Sequence, residues 1–108
     1  MSGSGGWIGV DLDGTLAHYD RWRGTDHIGS PVPAMRVRVI RWLAEGRDVR
    51  IMTARNEGSY PAIRRWCVKH VGRALPITNT KDFGMIELWD DRAVQVEPNT
   101  GRRMDGLE

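Results

Sequence analysis

Apolar residues along the chain fall into several short runs and two longer periodic stretches, separated by glycine, proline and charged residues. Residues 7–12 form an apolar run that ends in acids, which predicts a buried strand. Residues 48–53 alternate between apolar and polar side chains and predict a second strand. Shorter runs predict three further strands, over residues 75–78, 86–90 and 93–96.

The two longer stretches have apolar residues at helical spacing. The first begins at the prolines Pro31 and Pro33, which suit a first helical turn, and ends before Gly46. Its predicted inner face carries four apolar side chains: Val37, Ile40, Leu43 and Ala44. The second covers residues 59–71 and ends at Gly72. Its predicted inner face carries Ile63, Trp66, Cys67 and His70.

The order strand, helix, strand, helix, strand predicts an α/β fold with parallel pairing and right-handed crossovers. We expect a mainly parallel, five-stranded sheet in a single domain over residues 7–97. Residues 1–6 and 98–108, which are rich in glycine and polar residues, are expected to be a flexible leader and a flexible tail. The connection between the third and fourth strands is shorter than the dozen or so residues that a parallel crossover usually needs.

Composition narrows the class of protein. The chain has 108 residues, which is the size of one domain, and its 16 basic and 14 acidic residues leave a net charge of +2. That excess is too small to indicate a nucleic-acid partner by itself. The single cysteine, Cys67, cannot form an internal disulfide. No apolar run approaches the ~20 residues that cross a bilayer, and the first residues do not resemble a signal peptide, so we expect a cytoplasmic protein without membrane contact.

Candidate chemistry is concentrated at the predicted strand ends. In an open parallel sheet, ligands bind outside the carboxyl ends of the strands. Six polar side chains stand at or just after those ends: Asp11, Asp13, Thr53, Lys81, Asp90 and Asp91. Four carboxylates this close repel one another unless a cation lies among them. A site built from oxygen ligands suits Mg²⁺, which would also attract a phosphate group.

The segment Asp11-Leu-Asp-Gly-Thr15 resembles the D-x-D-G-T motif of the haloacid dehalogenase (HAD) superfamily of phosphohydrolases. Three further segments follow in the order of that family's motifs. Residues 51–53 resemble its second motif, Lys81 its third, and residues 89–92 its fourth in the paired-aspartate form. The resemblance covers most of the chain and implies a three-layer α/β/α, Rossmann-like fold.

The resemblance also implies roles for individual residues. Asp11 would attack phosphorus and form an aspartyl-phosphate, and Asp13 would be the general acid and base. Thr53 and Lys81 would hold the transferring phosphoryl group. The Mg²⁺ ligands would be Asp11, Asp13 through its carbonyl, Asp90 and Asp91. Further phosphate contacts, many of them through backbone N–H groups, are expected from residues that follow the first two motifs: Leu12, Gly14, Thr15, Ala54 and Arg55.

Small insertions also bear on the substrate. Members of this superfamily often carry a cap domain, but here residues 17–31 are the only sizeable insertion, so the resemblance is to small, capless phosphatases. A site without a cap favours a large phosphorylated substrate, such as a nucleic-acid end or a phosphoprotein, and the pattern is similar to polynucleotide phosphatases. It also allows a homo-oligomer in which a neighbouring subunit covers the site. The aromatic residues Tyr19 and Trp22 in the insertion could contact a leaving group.

Two other functions remain open from the sequence. A receiver-type signalling domain also uses strand-end acids, a threonine and a lysine, and it releases its phosphate slowly. A catalytically inactive scaffold would keep the acids and bind Mg²⁺ without turnover. The single residues are ambiguous as well: Asp13-Gly14 can form a turn, and Asp90 can cap one.

Overall fold

The computed structural model describes residues 5–107 and confirms an α/β fold with a parallel sheet. Within that range the strands are β1 (Trp7–Asp11), β2 (Asp48–Met52), β3 (Ile77–Thr78) and β4 (Met85–Trp89). The helices are α1 (Pro33–Ala44) and α2 (Tyr60–Val71), and a 3₁₀ turn over Glu57–Ser59 leads into α2. The strand order is β3-β2-β1-β4, and every pairing is parallel.

The helices begin and end where the sequence predicts. Pro33 opens α1, and Pro61 lies in the first turn of α2, where a missing N–H costs nothing. Gly72 ends α2 with a φ of 93°, a left-handed conformation that glycine adopts without strain. Its N–H donates to the Cys67 carbonyl at 3.1 Å. Neither helix in residues 5–107 has the length and hydropathy needed to cross a membrane.

One face of the sheet carries the core. Ile8 of β1 pairs in register with Val49 of β2, and Val10 with Ile51, so these four side chains point to the same side. Both helices pack on this side, and their buried residues join the strand residues in a single cluster: Met35, Val39, Trp42, Ile63, Trp66, Cys67 and Val71. Trp42 of α1 also packs on Trp89 of β4, with ring centroids 5.2 Å apart.

The sheet therefore has helices on one face, and the described residues form two layers rather than the expected three. The steps from β1 to β2 and from β2 to β3 run in the same direction across the sheet. Two right-handed crossovers in one direction place both helices on the same side. The opposite face carries Trp7, Arg50 and Met52, and the Arg50 guanidinium lies 4.6 Å from the Trp7 ring centroid.

The described residues form four strands, not the five expected. Residues 93–96 do not join the sheet. Val96 instead forms an isolated antiparallel bridge with Arg103, and the Met104 N–H donates to the Gln95 carbonyl at 2.9 Å. Residues 98–107, which the sequence predicts to be flexible, thus lie in or beside a small hairpin. Most of the predicted leader, residues 1–4, and residue 108 lie outside the described residues.

The buried face of α1 differs from the predicted one. Met35, Val39 and Trp42 are buried, whereas Val37 is 56% exposed. Apolar residues occupy both candidate faces of this helix, so spacing alone does not separate them. Trp42 decides between them, because a buried indole removes more apolar surface from water than the smaller side chains of the other face.

A matched pair of substitutions tests this assignment. Val39→Ala is expected to lower the free energy of unfolding by about 2 kcal/mol, because it removes two methyl groups from a fully buried site. Val37→Ala makes the same chemical change on the same helix and is expected to stay within ~0.5 kcal/mol of the parent. Urea denaturation followed by circular dichroism measures both. Equal losses for the two variants would contradict the assignment.

Candidate active site

A cleft of about 700 Å³ opens at the carboxyl ends of β1, β2 and β4. This is the edge at which parallel sheets bind their ligands. The residues that follow β1 form the floor and one wall of the cleft. The wall is a flap, which we define as residues 18–30; it leaves the end of the sheet and returns to it. The base of the flap is closed by a hydrogen bond of 2.8 Å from the His18 N–H to the Ser30 carbonyl. Thirteen residues line the cleft: Asp11, Asp13, Gly14, Tyr19, Asp20, Trp22, Thr25, Ala54, Arg55, Asn56, Asp90, Asp91 and Arg92.

Three carboxylates meet in the floor of the cleft. Asp11 ends β1, and Asp90 and Asp91 follow β4, which pairs directly with β1. One oxygen from each lies within 4.8 Å of the others, so a single cation could contact all three. Asp90 is oriented by the turn that it caps, since its Oδ1 accepts the N–H groups of Arg92 at 2.7 Å and Ala93 at 3.2 Å. Hard oxygen ligands of this kind fit Mg²⁺.

Gly14 and Thr15 shape the approach of Asp91 to Asp11. Gly14 has a φ of 91°, and a Cβ at this position would lie 2.7 Å from Asp91 Oδ2. A side chain here would therefore push Asp91 away from the cluster as well as strain the backbone. The Thr15 hydroxyl lies 3.3 Å from Asp11 Oδ2 and 3.3 Å from Asp91 Oδ1, so it can bridge the two carboxylates.

The proximity of the carboxylates changes their acidity. Burial, together with a hydrogen bond that Asp11 donates to Asp91 and the charges of Asp90 and Asp91, raises the pKa of Asp11 to about 7. The same hydrogen bond lowers the pKa of Asp91, so that a proton shared by the pair rests on Asp11. A nucleophilic carboxylate must be ionised, and a divalent cation in the cluster would favour the ionised form.

Asp13 is held by Arg55 rather than by the acidic cluster. Arg55 Nε lies 2.8 Å from Asp13 Oδ2, and Arg55 Nη2 lies 2.9 Å from Asp13 Oδ1. This two-bond geometry between guanidinium and carboxylate is the strong form of the ion pair. The Asp13 carboxylate is thus oriented toward the cleft and separated from the three oxygens that could bind a metal.

Arg55 also anchors the flap. Its Nη2 donates to the His27 carbonyl at 2.8 Å, its Nη1 donates to the Thr25 carbonyl at 3.3 Å, and its guanidinium lies 4.9 Å from the Trp22 ring centroid. The side chain is only 6% exposed, and its donors are satisfied by the flap and by Asp13. The buried Arg55 guanidinium therefore connects the end of β2 with the flap and with Asp13.

Other predicted phosphate-binding residues occupy different positions around the cleft. Thr53 is buried, and its hydroxyl accepts the Arg55 N–H at 3.1 Å, so it fixes the turn after β2. Ala54 lines the cleft beside Arg55. The Leu12 side chain is fully buried in the core, which leaves only its backbone for a ligand.

The structure does not bring Lys81 to the cleft. Because β4 lies beside β1 and parallel to it, residues 79–84 must return from the carboxyl end of β3 to the amino end of β4. The neighbouring Asp82 accepts from the Trp7 indole N–H at 2.8 Å, at the start of β1. Lys81 is exposed on this return segment and does not line the cleft.

Several cleft residues have no counterpart among the residues predicted from the sequence. Asp20, Thr25 and Arg92 line the cleft, and the first two lie in the flap, which has no regular period along the sequence. The order of apolar residues carries no signal for their position. Arg55 was predicted as a phosphate ligand, and its pairing with Asp13 depends on a contact between residues far apart in the sequence.

Comparisons with known proteins give no family for the chain. No protein-family model, no curated protein and no solved structure matches it.

Adding Mg²⁺ is expected to stabilise the protein against heat. A cation that binds the folded state at a hundred times its dissociation constant contributes about 2.7 kcal/mol, which corresponds to a rise in Tm of roughly 10 °C for a domain of this size. Asp91→Asn is expected to remove most of this rise, because it takes one carboxylate from the cluster. Scanning calorimetry with and without Mg²⁺ measures the shift.

The control for this experiment is Asp26→Asn, which removes an exposed flap carboxylate outside the cluster. It should keep the full Mg²⁺ shift. A parent protein whose Tm is the same in Mg²⁺ and in EDTA would show that the three carboxylates do not hold the ion.

Proposed function

We propose that the protein is a Mg²⁺-dependent phosphatase of the HAD type, which cleaves a phosphate monoester through an aspartyl-phosphate at Asp11. The observation that carries the proposal is the convergence of Asp11 with Asp90 and Asp91 in one open cleft, where their oxygens lie within 4.8 Å of one another. These carboxylates come from the segments that resemble the first and fourth motifs of that superfamily.

The proposed reaction has two steps. An Asp11 carboxylate oxygen attacks phosphorus and forms an O–P bond while the bond from phosphorus to the leaving oxygen breaks, and the leaving oxygen takes a proton from Asp13. A water molecule then attacks phosphorus and gives a proton to Asp13, and the bond from phosphorus to Asp11 breaks. Inorganic phosphate leaves, and both carboxyl groups return to their starting states.

The metal would neutralise the charge of the phosphoryl group and of the carboxylates. Asp11, Asp90 and Asp91 would hold it, and their donor set fits the ion. Gly14 leaves the space that Asp91 needs, and Thr15 ties Asp91 to Asp11. The protein thus contributes mainly a fixed arrangement of ligands and nucleophile.

The contacts of Asp13 place a condition on its role. Both of its oxygens accept bonds from Arg55, so at least one of these bonds must open before Asp13 can carry a proton to the leaving group. A substrate phosphate that competes for the Arg55 guanidinium would open this pair. Arg55 thereby links substrate binding to the availability of the acid.

The cationic phosphate contact assigned to Lys81 has another candidate. Arg92 follows the paired aspartates, lines the cleft and is exposed to solvent. We propose that its guanidinium takes the place of the lysine in binding the phosphate, since its planar fork suits phosphate oxygens. Lys81 would then match the third motif of the family in its order along the chain and not in its position at the site.

The openness of the cleft supports a large phosphorylated substrate. The flap forms one wall of the cleft, and the other lining residues within 5–107 stand at or just after the ends of strands. We propose a substrate whose own bulk covers the site, such as a nucleic-acid end. A neighbouring subunit could cover it in the same way.

Release of inorganic phosphate from a panel of phosphate monoesters tests the proposal. The panel contains an aryl phosphate, nucleotides, phosphopeptides and DNA or RNA with terminal phosphates. We expect turnover of at least one substrate in Mg²⁺ and none in EDTA. A burst of one leaving group per chain, with the phosphoryl group retained on the protein and released only slowly as phosphate, would favour the receiver-type function. Release of neither leaving group nor phosphate from any substrate would contradict both the phosphatase and the receiver-type function.

A further inference from the structure

The two helices and the segments that join them to the strands are strongly basic. Residues 33–73 contain ten arginine or lysine residues and three acidic residues, whereas the whole chain has 16 basic and 14 acidic ones. Within α1 and α2 themselves there is no acidic residue. The small net charge of the chain therefore hides a separation of charge along the sequence: residues 33–73 carry a net charge of +7, and the other residues together carry −5.

Six of these basic side chains are exposed, and we name five of them the basic helical surface: Arg36, Arg64, Arg65, Lys69 and Arg73. None of the ion pairs found in the described range involves them. Exposed arginine and lysine side chains without carboxylate partners keep their donors available for an anion.

Contacts between the helices make this surface continuous. Arg36 of α1 reaches the end of α2, where its Nε donates to the His70 carbonyl at 2.7 Å. Burial, followed by the nearby charges of Lys69 and Arg36, lowers the pKa of His70. Arg65 and Lys69 are one helical turn apart and line the same shallow hollow, whose only acid is Asp26.

The helix that carries most of the basic helical surface begins near the rim of the cleft. Asn56 lines the cleft, and α2 begins four residues later at Tyr60. A helix of 12 residues is about 18 Å long, and its basic residues, the first of which is Arg64, lie in its middle and later turns. A nucleic-acid duplex carries one charge per ~1.7 Å of axis and would offer phosphates along the whole helix.

We propose that the basic helical surface binds the phosphate backbone of a nucleic-acid duplex. A symmetric pair of copies that meet at this surface is disfavoured, because each copy would bring the same positive charges against the other. This binding proposal rests only on the distribution of charge and does not depend on the proposed function. Its further meaning, that a duplex bound here delivers its terminal phosphate to the cleft, rests on the proposed function.

Fluorescence anisotropy with a labelled DNA duplex tests the proposal. The probe has about 20 base pairs and no terminal phosphate, so binding is measured without turnover. Five contacts predict that log K falls with log[salt] with a slope of about −4.5. The double variant Arg65→Ala and Lys69→Ala is expected to bind at least tenfold more weakly near 100 mM salt and to reduce the slope by about 2.

A second double variant, Arg102→Ala and Arg103→Ala, removes the same charge from the hairpin, where both arginines pair with acids. Its affinity should stay within about twofold of the parent. Equal weakening of both double variants would overturn the proposal, because the duplex would then respond to net charge only. Tighter binding to phosphatidylserine vesicles than to the duplex would overturn it too, by assigning the surface to a membrane.

The two proposals fail separately. Turnover of an aryl phosphate by a protein that does not bind the duplex would overturn the proposed role of the basic helical surface and would support the proposed phosphatase function. Binding of the duplex through Arg65 and Lys69 by a protein that releases phosphate from no substrate would support the surface and overturn the proposed function.

Discussion

Asp11→Asn is expected to reduce phosphate release by about four orders of magnitude or more. The substitution keeps the size of the side chain but replaces the carboxylate that we propose as the nucleophile with an amide. It also removes one of the three carboxylates that would hold Mg²⁺. The rate of phosphate release in saturating Mg²⁺ measures the loss. Asp105→Asn makes the same chemical change at an exposed residue that does not line the cleft, and it should keep the parent's rate.

Loss of rate does not by itself separate a nucleophile from a metal ligand, so the intermediate provides the second measurement. Borohydride reduces an acyl phosphate, and reduction during turnover would convert an attacking aspartate to homoserine. Mass spectrometry is expected to find homoserine at position 11 in the parent and nowhere in Asp11→Asn. Retention of more than a tenth of the parent's rate by this variant would exclude Asp11 as the nucleophile.

Arg55→Met is expected to cost about 3 kcal/mol of the free energy of unfolding. The variant keeps an apolar stem of similar length but leaves the Asp13 carboxylate, which is 21% exposed, without its partner. It also removes the donors to the Thr25 and His27 carbonyls. Urea denaturation measures the loss. Arg102→Met breaks an ion pair on an arginine that is 60% exposed and should cost less than ~1 kcal/mol.

The flap should respond locally to the same variant. Its base is closed by the hydrogen bond from the His18 N–H to the Ser30 carbonyl, and its middle is held by Arg55. Hydrogen exchange of residues 18–30 is expected to accelerate in Arg55→Met more than exchange of β1. In a double-mutant cycle, adding Asp13→Asn should recover part of the lost stability, because the unpaired charge is removed. Strictly additive losses would show that the two side chains do not interact.

The fold could be predicted from the sequence wherever local spacing decided it. Residues 7–12 and 48–53, with their apolar runs and alternation, predict β1 and β2, and the prolines and glycines locate the ends of both helices. The choice of face on α1 could not be predicted, because the outcome depends on Trp42 meeting Trp89 from a strand far along the chain. The same limit explains the missing fifth strand, since residues 93–96 pair with a later segment instead of the sheet.

The candidate site shows the same division. Asp11, Asp90 and Asp91 could be placed together because each follows an apolar strand and parallel strands share one edge. Lys81 could not be placed, because its position depends on the strand order. With β4 next to β1, the short segment after β3 has to cross back to the opposite end of the sheet. The pair of Asp13 with Arg55 likewise joins residues that no spacing rule connects.

The order of strands also means that the three carboxylates of the cleft come from both an interior strand and a border strand. Asp11 belongs to β1, which has a neighbour on each side, whereas Asp90 and Asp91 follow β4, which is a border strand. Border strands open more readily than interior ones. An ion bound by all three side chains would therefore connect an interior strand with a border strand. Binding of the ion would then also stabilise the border strand against local opening.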